Sequence, residues 1–303
     1  MSFKKKLFLP TVLIIIFIVN TAYSANKKFV HADIKTLTVE VEGHKVYYNS
    51  IGEGDNYIVL LHGLFGNSGV WHKIMPALAN DGFKVIAPDL PGYGWSIGFP
   101  VYDYDLDRQV ILFHEFINKL KIKKFHIAGN SLGSTLAVFY MNRHHSKVKS
   151  IAFLGAPAGF SIWSKEIHKA IADGNNPFIP KNADQFKIEM KLLFYKTPPF
   201  SKKFIEKKLK MYSKKAFLYR EIWNIVNLDL YNFVIKNQLY TDCPMLIIWG
   251  KNDKIFSSKD AGKLNKRVPG SELVLLPDAG HLLVVECHKK AAAIYIKFLN
   301  KHR

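Results

Sequence analysis

The chain has 303 residues, 49% of them hydrophobic, which suits one large α/β domain or one domain with an insertion. Lys plus Arg number 43 against 24 Asp plus Glu, a formal net charge of +19 that favours anionic surfaces such as phospholipid headgroups. No nucleic-acid module, low-complexity tract, internal repeat or zinc-spaced Cys/His cluster is present, so neither nucleic acid nor a metal or other cofactor is expected.

Residues 1–24 read as a signal peptide. Lys4, Lys5 and Lys6 form a charged start, residues 7–19 are apolar, and Ala22 and Ser24 offer small side chains for cleavage after Ser24. The apolar run is short for a membrane span. Export is expected, to the periplasm or the medium, with an uncleaved segment as the anchored alternative.

Residues 36–42 and 45–50 alternate apolar and polar around Gly43-His44, the pattern of a hairpin. Residues 57–61 are a short, continuous apolar strand of the doubly buried kind. The Gly-rich stretch His62-Gly63-Leu64-Phe65-Gly66-Asn67-Ser68 follows, suited to presenting backbone amides to a ligand. His62 precedes that loop and reads as its orienting residue rather than as a base. A helix is expected over 70–80 and a strand over 83–87. Asp89, between Pro88 and Pro91 in a turn-rich segment, reads as structural. Leu106, Val110, Phe113, Ile117 and Leu120 give helical spacing over 104–120.

The central stretch runs from Phe125 to Ala137. An apolar strand leads into Gly129-Asn130-Ser131-Leu132-Gly133, and a helix of small and apolar residues continues to about Arg143. This is G-x-S-x-G between a strand and a helix, the context of a nucleophile elbow. Ser131 would stand at the tip, and the Leu132 amide would face a developing oxyanion at the helix N-terminus. The Phe65 amide, with Leu64 as its neighbour, is the second oxyanion candidate. Residues 148–154 form the next strand.

The alternation of strand and helix stops near Gly155. Residues 156–242 are helical in pattern, broken at Pro177, Pro180, Pro198 and Pro199, and rich in aromatics. They read as a helical cap between strands six and seven, dividing a core of residues 25–155 and 243–303. Within the cap, residues 202–217 place Phe204, Ile205, Leu209 and Tyr212 on one face with lysines elsewhere. Such a helix either lies on an anionic membrane or packs on its own protein. Alternation resumes with a strand at 245–249, a helix at 258–266, a strand at 272–276 and a C-terminal helix at 283–300. Cys243 and Cys287 either pair, if the chain is exported, or stay as two thiols.

A serine hydroxyl needs a base, and a histidine needs a carboxylate to fix its tautomer. Ser131, Asp253 and His281 come in that order, each in a loop after an apolar strand, so a parallel sheet opens all three on one edge. With the segments 62–66, 89–94, 250–253 and 279–281, the chain resembles the α/β-hydrolase family of serine hydrolases over about residues 36–296. The resemblance implies a mainly parallel, doubly wound sheet with a helical cap, and Ser131 as nucleophile, Asp253 as acid and His281 as base. Asp278, three residues before His281, is the other candidate acid. An aromatic-rich basic cap is similar to monoacylglycerol-type lipases and carboxylesterases, which implies an ester or lipid substrate with an apolar acyl chain. Carbon–carbon bond hydrolysis, thioester cleavage, acyl transfer and a non-catalytic binding role stay open. Leu282 stands where the carbon–carbon hydrolases tend to carry a tryptophan after the histidine.

Overall fold

The computed structural model describes residues 33–232 and 243–303. The segment read as a signal peptide and the end of the cap, 233–242, lie outside the described residues.

Strands β1 (Lys35–Val41) and β2 (His44–Ile51) pair antiparallel. Their turn is Glu42-Gly43, one residue earlier than the sequence pattern suggests, because His44 already pairs with Val41. Both turn residues have positive φ, 46° and 79°, as a type I′ hairpin turn requires. Strands β3 (Tyr57–Leu61), β4 (Lys84–Pro88), β5 (Phe125–Ser131), β6 (Val148–Pro157), β7 (Met245–Gly250) and β8 (Glu272–Leu276) complete the sheet. The spatial order is β1-β2-β4-β3-β5-β6-β7-β8, with β2 antiparallel to β4 and every pairing from β4 to β8 parallel.

The inner strands are apolar throughout because both of their faces are covered. Val59, Leu61 and Ile127 face one buried cluster; Ile58, Leu60 and Ala128 face another. Helices α2 (Leu106–Lys119) and α3 (Leu132–Arg143) pack Phe113, Phe116, Leu136 and Tyr140 into the first cluster. On the opposite face lie α1 (Met75–Asn80), α9 (Leu283–Glu286) and α10 (His288–Lys301), contributing Leu78, Leu283, Tyr295 and Phe298.

Between β6 and β7 stand α4 (Lys165–Ala172), α5 (Ala183–Leu193), α6 (Lys202–Lys214) and α7 (Ala216–Asn232), the helical cap. Ser164, Asn182 and Ser201 cap the first three, each side chain accepting from a first-turn amide. The prolines at 177, 180, 198 and 199 fall between these helices, where no N–H is needed. The remaining helix of the core is α8 (Ala261–Arg267).

Three expected helices differ in extent. The one over 70–80 is a 3₁₀ turn at Ser68–Trp71 followed by α1 from Met75, with Pro76 at its start. Proline lacks the N–H that would bond back one turn, and its ring crowds that carbonyl, so a helix cannot run through it. The helix over 202–217 ends at Lys214; the Lys215 ammonium donates to the Gly94 carbonyl at 2.7 Å, and α7 starts afresh. The C-terminal helix is split at Cys287 into α9 and α10. No disulfide joins Cys243, which is buried, to Cys287.

Candidate active site

The chain runs from β3 outward to β4 on one side and returns to β5 on the other. In such sheets the crevice lies beyond the strand ends where the direction reverses. The two loops at that reversal are the Gly63 loop after β3 and the Ser131 turn after β5. Leu61 pairs with Gly129 in register, so the loops are adjacent from their first residue.

Ser131 has φ 54° and ψ −120°. A non-glycine residue in this region is strained by on the order of 1–3 kcal/mol. The glycines on either side explain how the turn closes. A Cβ at Gly133 would collide with the Leu61 and His62 carbonyls, and one at Gly129 with the Gly133 backbone. Ser134, the bulkier residue after Gly133, is fully buried and its hydroxyl has no partner among the described residues.

Phe65 has the same unusual backbone sign, with φ 53°. Among the described residues, neither the Phe65 nor the Leu132 amide donates to a turn, loop or cap carbonyl. Gly63 brings the loop against Ser131: a Cβ there would lie 3.1 Å from Ser131 Cβ. The Phe65 ring packs on Tyr219 of α7 with centroids 4.5 Å apart, so a cap helix braces this loop.

His62 Nε2 accepts from the Leu90 amide at 3.0 Å, and its Nδ1 donates to the Gly63 carbonyl at 2.8 Å. Both ring nitrogens are spent on holding the loop, and complete burial lowers the pKa of the imidazole below its usual value. Asp89 accepts from the Ser68 amide at 2.7 Å and from the Trp95 amide at 2.8 Å. Both residues are structural, as their sequence positions suggest.

Asp253 follows β7 and His281 follows β8. His281 Nδ1 lies 2.9 Å from Asp253 Oδ2, and both side chains are essentially buried. The other carboxylate oxygen accepts from the Ile255 and Phe256 amides at 2.8 and 3.1 Å. Asp278 is not the partner: it is exposed, and its carboxylate lies 3.9 Å from Lys290.

Three further residues form part of the arrangement. Asn130 donates to the carbonyls of Leu154 and His281 at 3.1 and 3.2 Å, joining the serine turn to the histidine loop. Glu286 accepts from the amides of Gly280 at 2.7 Å, Tyr195 at 2.8 Å and Lys196 at 3.2 Å. It ties the histidine loop to the cap, as does Leu282 donating to the Leu193 carbonyl at 3.1 Å. The sequence carried one signal of Glu286, a lone acid closing the apolar run Leu282–Val285.

Glu189 is the third. It accepts from the Tyr212 hydroxyl at 2.7 Å, while its second oxygen has no partner among the described residues. Burial pushes its carboxyl up to about 8, more than the Tyr212 hydrogen bond and Lys208 pull it down. It occupies an apolar-stripe position with Phe186, Met190 and Leu193, a spacing visible in the sequence.

Ser131, His281 and the Gly63 loop share a cleft of about 530 Å³. Cap side chains form its other wall, among them Phe186, Phe200, Phe204 and Tyr212. The apolar face of α6 therefore packs inward: Phe204 stacks on Phe200 at 5.1 Å. Among the described residues, no group of three or more His, Cys, Asp or Glu is placed to hold a metal ion.

Comparison with known proteins agrees with this architecture. Over 293 residues the chain is 29% identical to Lipase 1 of Psychrobacter immobilis, covering 91% of this chain and 86% of that protein. It is 26% identical over 253 residues to the monoacylglycerol lipase ABHD6 of Homo sapiens, covering 80% and 74%. A solved structure of a membrane phospholipase A superposes with a TM-score of 0.80 at 22% identity, covering 89% of this chain and 87% of that one. The family described as alpha/beta hydrolase fold matches residues 56–286, most of the chain, and the chain belongs to that family.

Proposed function

We propose that the chain is a serine ester hydrolase that cleaves carboxylic esters with an apolar acyl chain. The observation that carries this is the Asp253–His281 pair on the cleft that also holds the strained Ser131. The relatives named as lipases support an ester as the substrate class.

In this reading, Asp253 holds His281 with its proton on Nδ1, which leaves Nε2 as the base. The base takes the Ser131 hydroxyl proton as the oxygen attacks the ester carbonyl. The Leu132 and Phe65 amides receive the oxyanion, an interaction whose loss typically costs about 2.7–4 kcal/mol. The imidazolium then protonates the leaving alcohol. Water, deprotonated by the same nitrogen, attacks the acyl-enzyme and releases the acid. The aromatic cap wall gives the acyl chain an apolar surface to lie on.

The test is hydrolysis of p-nitrophenyl esters of increasing chain length by wild type and Ser131→Ala. The variant is expected to lose at least about a thousandfold in kcat. Equal rates would overturn the proposal. A folded wild type inactive on every ester would favour carbon–carbon, thioester or acyl-transfer chemistry at the same serine, or a binding role.

A further inference from the structure

We propose that the loop of residues 95–102 together with Phe217 is a docking surface for an anionic phospholipid bilayer. The surface is distinct from the cleft, and the inference does not rest on the ester-hydrolase reading.

A docking role for the apolar face of α6 competes with the cleft, because Phe204 and Tyr212 line it and Phe204 stacks on Phe200. Phe204 on α6 is 37% exposed, and apart from Ile162, before α4, the large apolar side chains that are more than half exposed stand within residues 95–102 and at the start of α7. Trp95 is 73% exposed, Tyr102 66% and Phe217 66%, with Ile97 and Val101 also exposed between them. Large apolar side chains in such numbers on one segment mark an interaction site. Residues 95–102 contain no charged residue.

Two hydrogen bonds set the loop beside α7. The Lys215 ammonium donates to the Gly94 carbonyl at 2.7 Å, which sets the start of α7 beside Trp95. At the other end, the Leu106 amide donates to Asp229 of α7 at 2.9 Å. The loop thus runs along α7, whose first turn carries Phe217.

The loop is also firmly held from beneath. The Trp95 amide donates to Asp89, the Ser96 hydroxyl accepts from the Tyr47 amide at 2.9 Å, and the Tyr104 hydroxyl donates to the Phe99 carbonyl at 2.7 Å. Its apolar side chains therefore project from a fixed backbone rather than from a segment that folds them away.

Charge points to an anionic occupant. Of the acids that follow the loop, Asp103 and Asp107 are paired with Arg108 and Arg143 and Asp105 caps α2, while α6 and the start of α7 carry an excess of cations. Residues 202–221 hold eight basic side chains against two acidic ones. Lys210 and Lys214 are exposed, and the Arg220 guanidinium lies 5.5 Å from the Phe217 ring. Tryptophan and tyrosine settle at the headgroup level, and flanking lysines are drawn to anionic lipid. A protein partner would need a complementary apolar pocket; a bilayer needs only the exposed aromatics and the positive rim. Because α6 also walls the cleft, docking here brings the cap side of the molecule to the lipid.

The experiment is co-sedimentation of the full chain with vesicles of phosphatidylcholine alone or mixed with phosphatidylglycerol. Wild type, Trp95→Ser/Phe217→Ser and Lys210→Glu/Lys214→Glu are compared at low and high salt. Wild type is expected to bind the mixed vesicles at least about tenfold more tightly than the neutral ones, with the preference weakened by salt. The aromatic pair is expected to lose about tenfold in affinity at either salt, and the charge pair to lose the salt dependence. Unchanged hydrolysis of a soluble short-chain ester, or an unchanged melting curve, confirms folding of each variant. Vesicle binding by the aromatic variant equal to wild type, or no preference for anionic lipid, overturns the proposal. So does a wild-type dimer that the aromatic substitutions dissolve without any vesicle binding, which would make the surface a contact between two copies.

Discussion

Ser131 and Phe65 occupy two of the four positive-φ non-glycine positions among the described residues; the other two are Glu42, in a hairpin turn, and Lys121, just past a helix end. A turn or a helix end adopts that sign for chain-reversal reasons, whereas Ser131 and Phe65 sit on the cleft wall. Each is over-determined by neighbours: Ser131 by the glycines that flank it, Phe65 by the Tyr219 ring. Glu189 is the buried group of the cleft with a chemical consequence of its own. Burial pushes its carboxyl up to about 8, above the ordinary carboxylate range, so the folded state holds the proton more tightly. The stabilisation this gives is present below the unfolded pKa and is lost as pH rises through about 8. The melting temperature of wild type should therefore fall between weakly acidic and mildly alkaline pH. Glu189→Gln, which keeps an acceptor for Tyr212, should flatten that slope. Parallel slopes in the two proteins would show that Glu189 does not hold its proton.

At the scale of elements, the nucleophile turn was readable because its glycines are obligatory and its strand and helix are continuous in sequence. The meeting of Asp253 and His281 was readable because each follows an apolar strand, and the sheet brings such loops to one edge. Asn130 and Glu286 were not, since their partners are backbone groups up to 151 residues away. Backbone acceptors and donors carry no residue identity for a sequence pattern to reveal. The split of the C-terminal helix escaped for a related reason: α9 is a single short turn whose last residue, Glu286, is committed to three amides outside it. Replacing that carboxylate should be costly, because a hydrogen bond to a charged group contributes roughly 1.5–3 kcal/mol. Glu286→Ala is expected to lower stability by about 2–3 kcal/mol and to reduce kcat more than it raises KM. Urea denaturation with steady-state kinetics on a soluble ester measures both. A stability loss with kcat intact would confine Glu286 to fold maintenance.

Over the whole molecule, the apolar strands and alternating helices fixed the class of fold, and the interruption after β6 announced the cap. The direction in which α6 turns its apolar face was not available, because an amphipathic helix looks the same whether it faces lipid or its own protein. Only the aromatic partners Phe186 and Phe200 decide it. Thiol chemistry also belongs to this scale. Cys243 is buried at the start of β7, and Cys287 lies between α9 and α10, bonded to the Asp278 carbonyl at 3.3 Å. Reducing agent should leave the melting temperature unchanged, and thiol titration of the unfolded chain should find two groups per molecule. Fewer than two, with a lower melting temperature on reduction, would reveal a bridge.

The bonds that join Leu193, Tyr195 and Lys196 to Leu282 and Glu286 make one stretch of cap backbone the support of the loop that, in the proposed mechanism, carries the base. On the proposed mechanism, selectivity and turnover are therefore not independent variables in this protein. A lineage, or a laboratory, that reshapes the cap to admit a longer or bulkier chain shifts the imidazole along with it, and the first variants to accept a new substrate should be slow ones. Recovery would come from second changes near residues 193–196 that release the base from the cap, rather than from changes at the triad itself.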